Sequence, residues 1–140
     1  MKTYISYLQI TAIIFGLLFS LAFINNAFAQ EGAPKLSPDQ FEKKANKNKR
    51  HVMLDIRTPE EVAEGYIEGA EFIDFLGGYF EEILEELPKN RVYYVYCRSA
   101  RRTIPATEKM KALGFKKVYM LEGGLNNWME AGKLVVSSPK

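Results

Sequence analysis

The sequence predicts a single α/β domain built on a doubly wound parallel sheet with helices on both faces. Short apolar runs alternate with helical segments along the chain, as in successive βαβ units. The run Val92–Tyr96 is almost wholly β-branched and aromatic, which is typical of a central strand covered on both faces. The chain has 140 residues, a length that suits one domain once an N-terminal export segment is set aside.

That export segment is predicted over residues 1–29. The segment contains no acidic residue and is apolar from Ile10 to Ile24. Ala27 and Ala29 are small residues at the spacing of a signal-peptidase site. We therefore expect a signal peptide, a mature domain over residues 30–140, and export, most simply to a bacterial periplasm. An uncleaved membrane anchor is the alternative, because the apolar run is just short of bilayer-spanning length.

The first elements of the mature domain are indicated by two capping boxes. Ser37–Gln40 is a capping box with proline at the first helical position, so a helix begins there and continues to about Asn46. Val52–Asp55 is a short apolar run consistent with a buried strand. Thr58–Glu61 is a second capping box, and it opens a short helix.

The remaining elements are bounded by glycine and proline residues. Six elements follow in this order. They are a strand, an acidic amphipathic helix stopped by a proline, the central strand, a helix closed by a glycine, a further strand and a final helix. Apart from the central strand, they are predicted at Phe72–Phe75, Tyr79–Leu87, Thr103–Leu113, Lys117–Leu121 and Leu125–Ala131.

Composition excludes several classes of function. The net charge is +2, from 19 Lys and Arg against 17 Asp and Glu, and it gives no support to nucleic-acid binding. A single cysteine rules out an intrachain disulfide, and one cysteine with one histidine cannot close a zinc site without carboxylates. We expect a domain that works without a metal or a cofactor, and the sequence leaves its oligomeric state open.

The loop that begins at Cys97 is the candidate catalytic segment. It follows the predicted central strand and leads into a helix, and ligands of such sheets bind at the carboxyl ends of strands near the switch point of the winding. A thiolate there would face backbone N–H groups and the positive end of the helix dipole, both of which favour the anion. We expect Thr103 to cap the helix. Three arginines add fixed positive charge: Arg98, Arg101 and Arg102.

Three motifs in this order resemble those of the rhodanese family of sulfurtransferases, and the resemblance covers almost the whole mature chain. Asp55–Glu61 with Gly65–Ala70 looks like the family's first motif. Cys97–Arg102 looks like its active-site loop, and Leu121–Trp128 looks like its closing motif. The resemblance implies a rhodanese-like fold and a two-step reaction. Cys97 would take a sulfur atom from a small donor such as thiosulfate, form a persulfide and pass the sulfur to a thiol or cyanide acceptor.

The resemblance also assigns roles to individual residues. Cys97 would be the nucleophile, and Asp55 with Arg57 would form a buried polar pair that supports the loop. Ala100 replaces the family's loop glycine, so a positive φ at that position would be strained. The loop that would bind substrate, with its backbone N–H groups around the persulfide, comprises Arg98, Ser99, Ala100, Arg101, Arg102 and Thr103.

Two alternatives use the same fold. Related phosphatases and arsenate reductases place five residues between cysteine and arginine, whereas four separate Cys97 from Arg102, a tighter ring that suits one sulfur atom. A non-catalytic rhodanese-like binding module is the second alternative, although such modules have usually lost the cysteine. The expected partners are therefore small sulfur donors and acceptors, with no nucleic acid, and with a membrane only if the export segment is uncleaved.

Overall fold

The computed structural model describes residues 32–137. They lie within a compact unit, Glu31–Lys140, and the predicted signal peptide falls outside the described residues. The strands of this unit are β1 (Lys35–Leu36), β2 (His51–Asp55), β3 (Ala70–Phe72), β4 (Val92–Tyr96) and β5 (Lys117–Leu121). The helices are α1 (Pro38–Lys47), α2 (Pro59–Ala63), α3 (Phe80–Glu86), α4 (Thr103–Ala112) and α5 (Gly124–Glu130). Within residues 32–137, no helix is both long enough and apolar enough to cross a bilayer.

The strands form one parallel sheet in the order β1-β5-β4-β2-β3. β4 is the middle strand, as its composition predicts. From β2 the chain moves outward to β3 and then returns past β2 to β4, so the winding reverses between β2 and β4. The predicted doubly wound α/β fold is confirmed, and the carboxyl ends of β2 and β4 flank the switch point where ligands bind in such sheets.

Each face of the sheet has its own core, because side chains alternate along every strand. On one face, Val95 and Cys97 pack with residues of α3 and α4. On the other face, Tyr94 and Tyr96 pack with residues of α1 and α5, including Trp128. The consecutive apolar residues of β4 are therefore explained by burial on both faces.

Two strands differ from the sequence prediction. β1 was not predicted, because its two residues, which pair with Met120 and Leu121 of β5, are too few to show a periodicity. β3 is an edge strand at Ala70–Phe72 rather than Phe72–Phe75. The apolar residues that suggested the later position, Ile73 and Phe75, lie in the loop after β3, where their N–H groups still bond to the end of β2.

Both predicted capping boxes are present. The Ser37 hydroxyl accepts from the Gln40 N–H and the Gln40 side chain accepts from the Ser37 N–H. The Thr58 and Glu61 pair makes the same two hydrogen bonds at 3.4 and 3.3 Å. The second box fixes the Glu61 carboxylate at the start of α2.

Candidate active site

Cys97 follows the last residue of β4 and is fully buried, with 0% exposure. After Cys97 the chain forms a short loop, and α4 begins at Thr103. The Cys97 Sγ lies 3.7 Å from the Thr103 Oγ1. The thiol is therefore enclosed by its own loop and by the first residue of the helix that the loop leads into.

The hydrogen bonds of the loop are one-sided. Several of its carbonyl groups accept hydrogen bonds: the N–H groups of Leu125 and Asn126 donate to the Cys97 and Arg98 oxygens at 2.8 and 3.0 Å. The Thr103 hydroxyl donates to the Ala100 oxygen at 2.8 Å. By contrast, no atom of residues 32–137 accepts a hydrogen bond from the N–H groups of residues 98–102. A run of backbone donors is thus left for an anion beside a buried thiol.

The close approach of α5 to the loop explains the glycine at position 124, in the closing motif. A Cβ on Gly124 would lie 2.5 Å from the Cys97 oxygen and 2.7 Å from the Arg98 oxygen. Gly124 also has a φ of +66°, a conformation that L side chains rarely adopt. Glycine at this position therefore lets the N-terminus of α5 donate directly to the loop carbonyls and hold the loop in place.

Thr103 does not cap α4, so that prediction is wrong. The helix begins at Thr103, its N-cap position is Arg102, and no side chain caps it. The reason is that the Thr103 hydroxyl is used by the loop, where it bonds to Ala100 and faces the thiol. In this position the hydroxyl can turn its proton towards the sulfur whenever the sulfur is ionised.

Ala100 adopts a φ of +66°, and it is the one residue other than glycine with a positive φ between residues 32 and 137. A left-handed conformation costs an alanine roughly 1 to 2 kcal/mol. The strain expected from the substitution of the usual glycine is therefore present.

Arg102 is clamped by a carboxylate that sequence reasoning did not place in the site. Its two terminal nitrogens bond to the two oxygens of Glu61 at 2.6 and 2.7 Å. The hydrogen bond from Arg102 holds the pKa of Glu61 below its ordinary value, and the same bond raises the pKa of Arg102. A bidentate pair of this kind fixes the guanidinium plane as well as its position. The two residues are 41 positions apart, so local spacing could not reveal the pair.

Asp55 and Arg57 form a buried ion pair. The Arg57 Nη2 lies 2.6 Å from the Asp55 Oδ2, and both side chains are almost fully buried. Burial opposes the charge of Arg57, but the hydrogen bonds that Arg57 donates to Asp55, together with the charge attraction of Asp55 and Glu61, outweigh burial and raise the pKa of Arg57. Arg57 also donates to the carbonyl oxygens of Glu61 and Gly65 at 2.9 and 2.7 Å. The pair thus supports the loop indirectly, by holding α2 and with it the carboxylate that binds Arg102.

Comparison with known proteins now decides the family. Residues 37–131 match the family described as Rhodanese-like domain. The chain belongs to this family. A sulfurtransferase of Allochromatium vinosum is 33% identical to it over 86 residues, which are 61% of this chain and 78% of that protein. The YrkF protein of Bacillus subtilis, provisionally named a sulfur carrier protein, is 34% identical over 95 residues. That match covers 68% of this chain but only 50% of YrkF.

Solved rhodanese structures share the fold. A rhodanese-like domain protein from Staphylococcus aureus superimposes with a TM-score of 0.65 at 27% identity, over 76% of this chain and 99% of that one. A rhodanese-related protein from Thermoplasma volcanium gives a TM-score of 0.65 at 25% identity, over 74% and 97% of the two chains. At the level of the family, this rhodanese-like domain is therefore associated with sulfur transfer.

The remaining loop residues of this rhodanese-like domain lie at the surface. Ser99 and Arg101 are exposed. The Arg98 side chain is 56% exposed and makes only long ion pairs, at 3.9 Å to Glu61 and 3.7 Å to Glu64. The structure therefore separates the three loop arginines: Arg102 is held by Glu61, whereas Arg98 and Arg101 lie at the exposed rim of the loop. A substrate-binding role for the rim arginines stays a prediction.

Proposed function

We propose that this rhodanese-like domain is a thiosulfate sulfurtransferase that works through a Cys97 persulfide. The observation that carries the proposal is the loop around the buried thiol, in which the Cys97, Arg98 and Ala100 oxygens accept hydrogen bonds while the N–H groups of residues 98–102 have no acceptor within residues 32–137. Such a loop stabilises negative charge on a single atom at its centre, as an oxyanion hole does.

In the first step the Cys97 thiolate attacks the outer sulfur of thiosulfate. A bond forms between the two sulfurs while the sulfur–sulfur bond of the donor breaks, and its electron pair leaves with sulfite. The product is a Cys97 persulfide that carries one negative charge, so the loop N–H groups and the nearby Arg102 stabilise it. The Thr103 hydroxyl, 3.7 Å from Sγ, is placed to donate to the thiolate before the attack.

In the second step an acceptor thiolate or cyanide attacks the terminal sulfur of the persulfide. The bond between Cys97 and that sulfur breaks, its electron pair returns to Cys97 as thiolate, and the acceptor leaves as a persulfide or as thiocyanate. No outside oxidant or reductant is needed, because the sulfur is transferred as a neutral atom and each bond that forms replaces one that breaks.

The geometry favours this reaction over phosphoryl chemistry. Four residues separate Cys97 from Arg102, and their ring closes around a thiol with 0% exposure. A persulfide adds one atom to that thiol, whereas a phosphorylated cysteine adds a tetrahedral group with three further oxygens. The relatives named sulfurtransferase support the same choice.

Kinetics separate the alternatives. Without an acceptor, thiosulfate should release about one equivalent of sulfite per protein and then stop, and added cyanide should restore turnover with ping-pong kinetics. Cys97→Ser should release none. Hydrolysis of p-nitrophenyl phosphate without any sulfite release would overturn the proposal in favour of a phosphatase, and a folded protein inactive with all sulfane donors would favour a binding module.

The proposal also places the reaction outside the cytoplasm, since residues 1–29 have the pattern of a signal peptide. Expression of the full chain in a bacterium, followed by fractionation and N-terminal sequencing, tests this location. We expect a periplasmic protein that begins at Gln30. Recovery of the intact chain from the membrane would instead indicate the uncleaved anchor.

A further inference from the structure

The amino end of the sheet, opposite Cys97, carries a group of cations that the sulfur chemistry does not use. The turns that lead into β2, β4 and β5, with the residues that flank them, supply these cations. Because these strands are adjacent and parallel, with His51, Val92 and Lys117 side by side in register, the three turns lie next to one another. We call this group the basic pole, and its members are Lys47, Lys49, Arg50, Lys89, Arg91, Lys116 and Lys117.

The charges of the basic pole are not neutralised within the described part of the chain. None of its residues forms a salt bridge with a carboxylate of residues 32–137. Lys89 and Arg91 are half-buried and bond to main-chain carbonyl oxygens, which leave their charge in place. The other members are exposed. The acids nearest in the chain are Glu85 and Glu86, which end α3 just before the turn into β4.

The first described residues pass along the middle of α4, where Gly32 lies against Thr107, and they border the basic pole at Pro34. Pro34 lines a cavity of about 160 Å³ together with Lys111, Lys116 and Lys117, and the Lys111 ammonium donates to the Gly32 oxygen. The sequence that precedes these residues contains the apolar run from residue 10 to residue 24. Whenever that run lies in a bilayer, as an anchor or before cleavage, only residues 25–31 separate it in the sequence from the described domain.

From these observations we infer that the basic pole docks on the anionic surface of a phospholipid bilayer. Each Lys or Arg close to such a surface is attracted to the acidic headgroups, and the attraction fades within a Debye length. The five-residue strand β4 sets Cys97 roughly 16 Å from the pole, at the rise of a strand. A docked domain would therefore keep its active-site loop facing away from the lipid. The inference does not depend on the sulfurtransferase proposal.

Vesicle sedimentation tests the inference with residues 30–140, so that the apolar segment cannot contribute. All described core residues lie in the unit Glu31–Lys140, so this fragment keeps its core intact. We expect it to sediment with phosphatidylglycerol/phosphatidylcholine vesicles at about 50 mM salt and to be released at about 500 mM. It should not sediment with pure phosphatidylcholine.

A matched pair of variants distinguishes the pole from general charge attraction. Lys116→Gln/Lys117→Gln removes two unpaired cations of the pole, and binding should fall roughly twenty-fivefold, at about fivefold for each charge. Lys109→Gln/Lys133→Gln removes the same charge from two residues that are ion-paired in the fold, and binding should stay within about twofold. Circular dichroism checks that both variants are folded.

Three outcomes would overturn the inference. The first is no sedimentation of the wild-type fragment with anionic vesicles at low salt. The second is an equal loss of binding in the two double variants. The third is capture of the fragment by duplex DNA in preference to the vesicles, which would assign the pole to a nucleic acid.

Discussion

The two ends of the sheet use cations in opposite ways. At the carboxyl end, Arg57 and Arg102 are largely withdrawn from solvent, and each is held by a carboxylate at 2.6 Å. At the amino end, the exposed lysines of the basic pole have no such partner within residues 32–137. Withdrawn and paired cations give fixed geometry, because an unpaired charge there would be strongly unfavourable. Exposed and unpaired cations create a positive electrostatic potential, which attracts an anionic partner and is screened by salt.

The difference shows that a count of basic residues says little about function. The chain has a net charge of only +2, yet its two ends differ because the acids are unevenly placed. Glu61 and Asp55 are committed to the active-site end through direct bonds. Substitutions at the carboxyl end should therefore change stability and catalysis, and substitutions at the amino end should change neither.

The largest effect is expected from breaking the buried pair at the carboxyl end. Asp55→Asn leaves the Arg57 charge buried without its carboxylate, and we expect the free energy of unfolding to fall by about 3 to 5 kcal/mol. Urea denaturation measures this change. Asp39→Asn is the control, because Asp39 is exposed and its pair with Lys133 should contribute less than about 1 kcal/mol. Similar losses of stability in the two variants would show that the buried pair contributes no more than the exposed one.

A smaller effect is expected from loosening the Arg102 clamp. Glu61→Gln keeps the size of the side chain but loses the charge-assisted bonds, so we expect a loss of about 1 to 3 kcal/mol of stability. We also expect a roughly tenfold lower kcat/KM, because Arg102 is no longer held beside the persulfide. Glu64→Gln is the matched control, since its only ion pair within residues 32–137 is the exposed one with Arg98, and both values should stay near wild type.

The pH dependence of the same variant gives an independent check. The folded pKa of Glu61 is lowered from its ordinary value of 4.5, so its stabilising effect is fully present above about pH 4.5 and is lost as the pH falls through the folded pKa. The stability difference between wild type and Glu61→Gln should be constant near neutral pH and should shrink in acid. A difference that is unchanged at pH 3 would show that the clamp is not ionic.

Ala100→Gly should raise the stability modestly, whereas the substitutions above lower it. Relief of the left-handed strain at Ala100 is partly offset by the greater freedom of glycine in the unfolded chain, so we expect a gain of up to about 1 kcal/mol. The control is Ala112→Gly at the end of α4, where the same substitution should destabilise by about 0.5 to 1 kcal/mol. Thermal unfolding of both variants measures the two changes in stability. A loss of stability with Ala100→Gly would show that Ala100 is not strained.

The smallest effect on stability is expected at the amino end. Lys116→Gln/Lys117→Gln removes no ion pair formed within residues 32–137, so its unfolding free energy should stay within about 0.5 kcal/mol of wild type. Its sulfite release from thiosulfate should also be unchanged, since the pole lies at the opposite end of the sheet from Cys97. A clear loss of either would show that the two ends are coupled.

Most of the fold was predictable because its signals are local. The two capping boxes define the starts of α1 and α2, and the run Val92–Tyr96 defines the central strand through burial on both faces. The edge strand β3 was misplaced because its residues are largely exposed and lack the apolar alternation that predicts a strand. Local sequence patterns therefore predict buried elements better than edges.

The candidate site was predictable only in part. The loop from Cys97 to Arg102 is contiguous, so its pattern is visible in the sequence. Glu61 was recognised as a capping residue, but its bond to Arg102 joins distant segments and depends on the tertiary fold. The role of Thr103 was wrong for a similar reason, because its hydroxyl bonds within the loop rather than to the helix that it begins.

Intact mass spectrometry tests the central claim, sulfur transfer through Cys97, most directly. Wild-type protein is incubated with thiosulfate, freed of excess donor and weighed beside Cys97→Ser. We predict a gain of about 32 Da, one sulfur atom, in the wild type alone, and its loss on addition of cyanide. The absence of any gain in folded, reduced wild-type protein, or an equal gain in Cys97→Ser, would contradict a Cys97 persulfide.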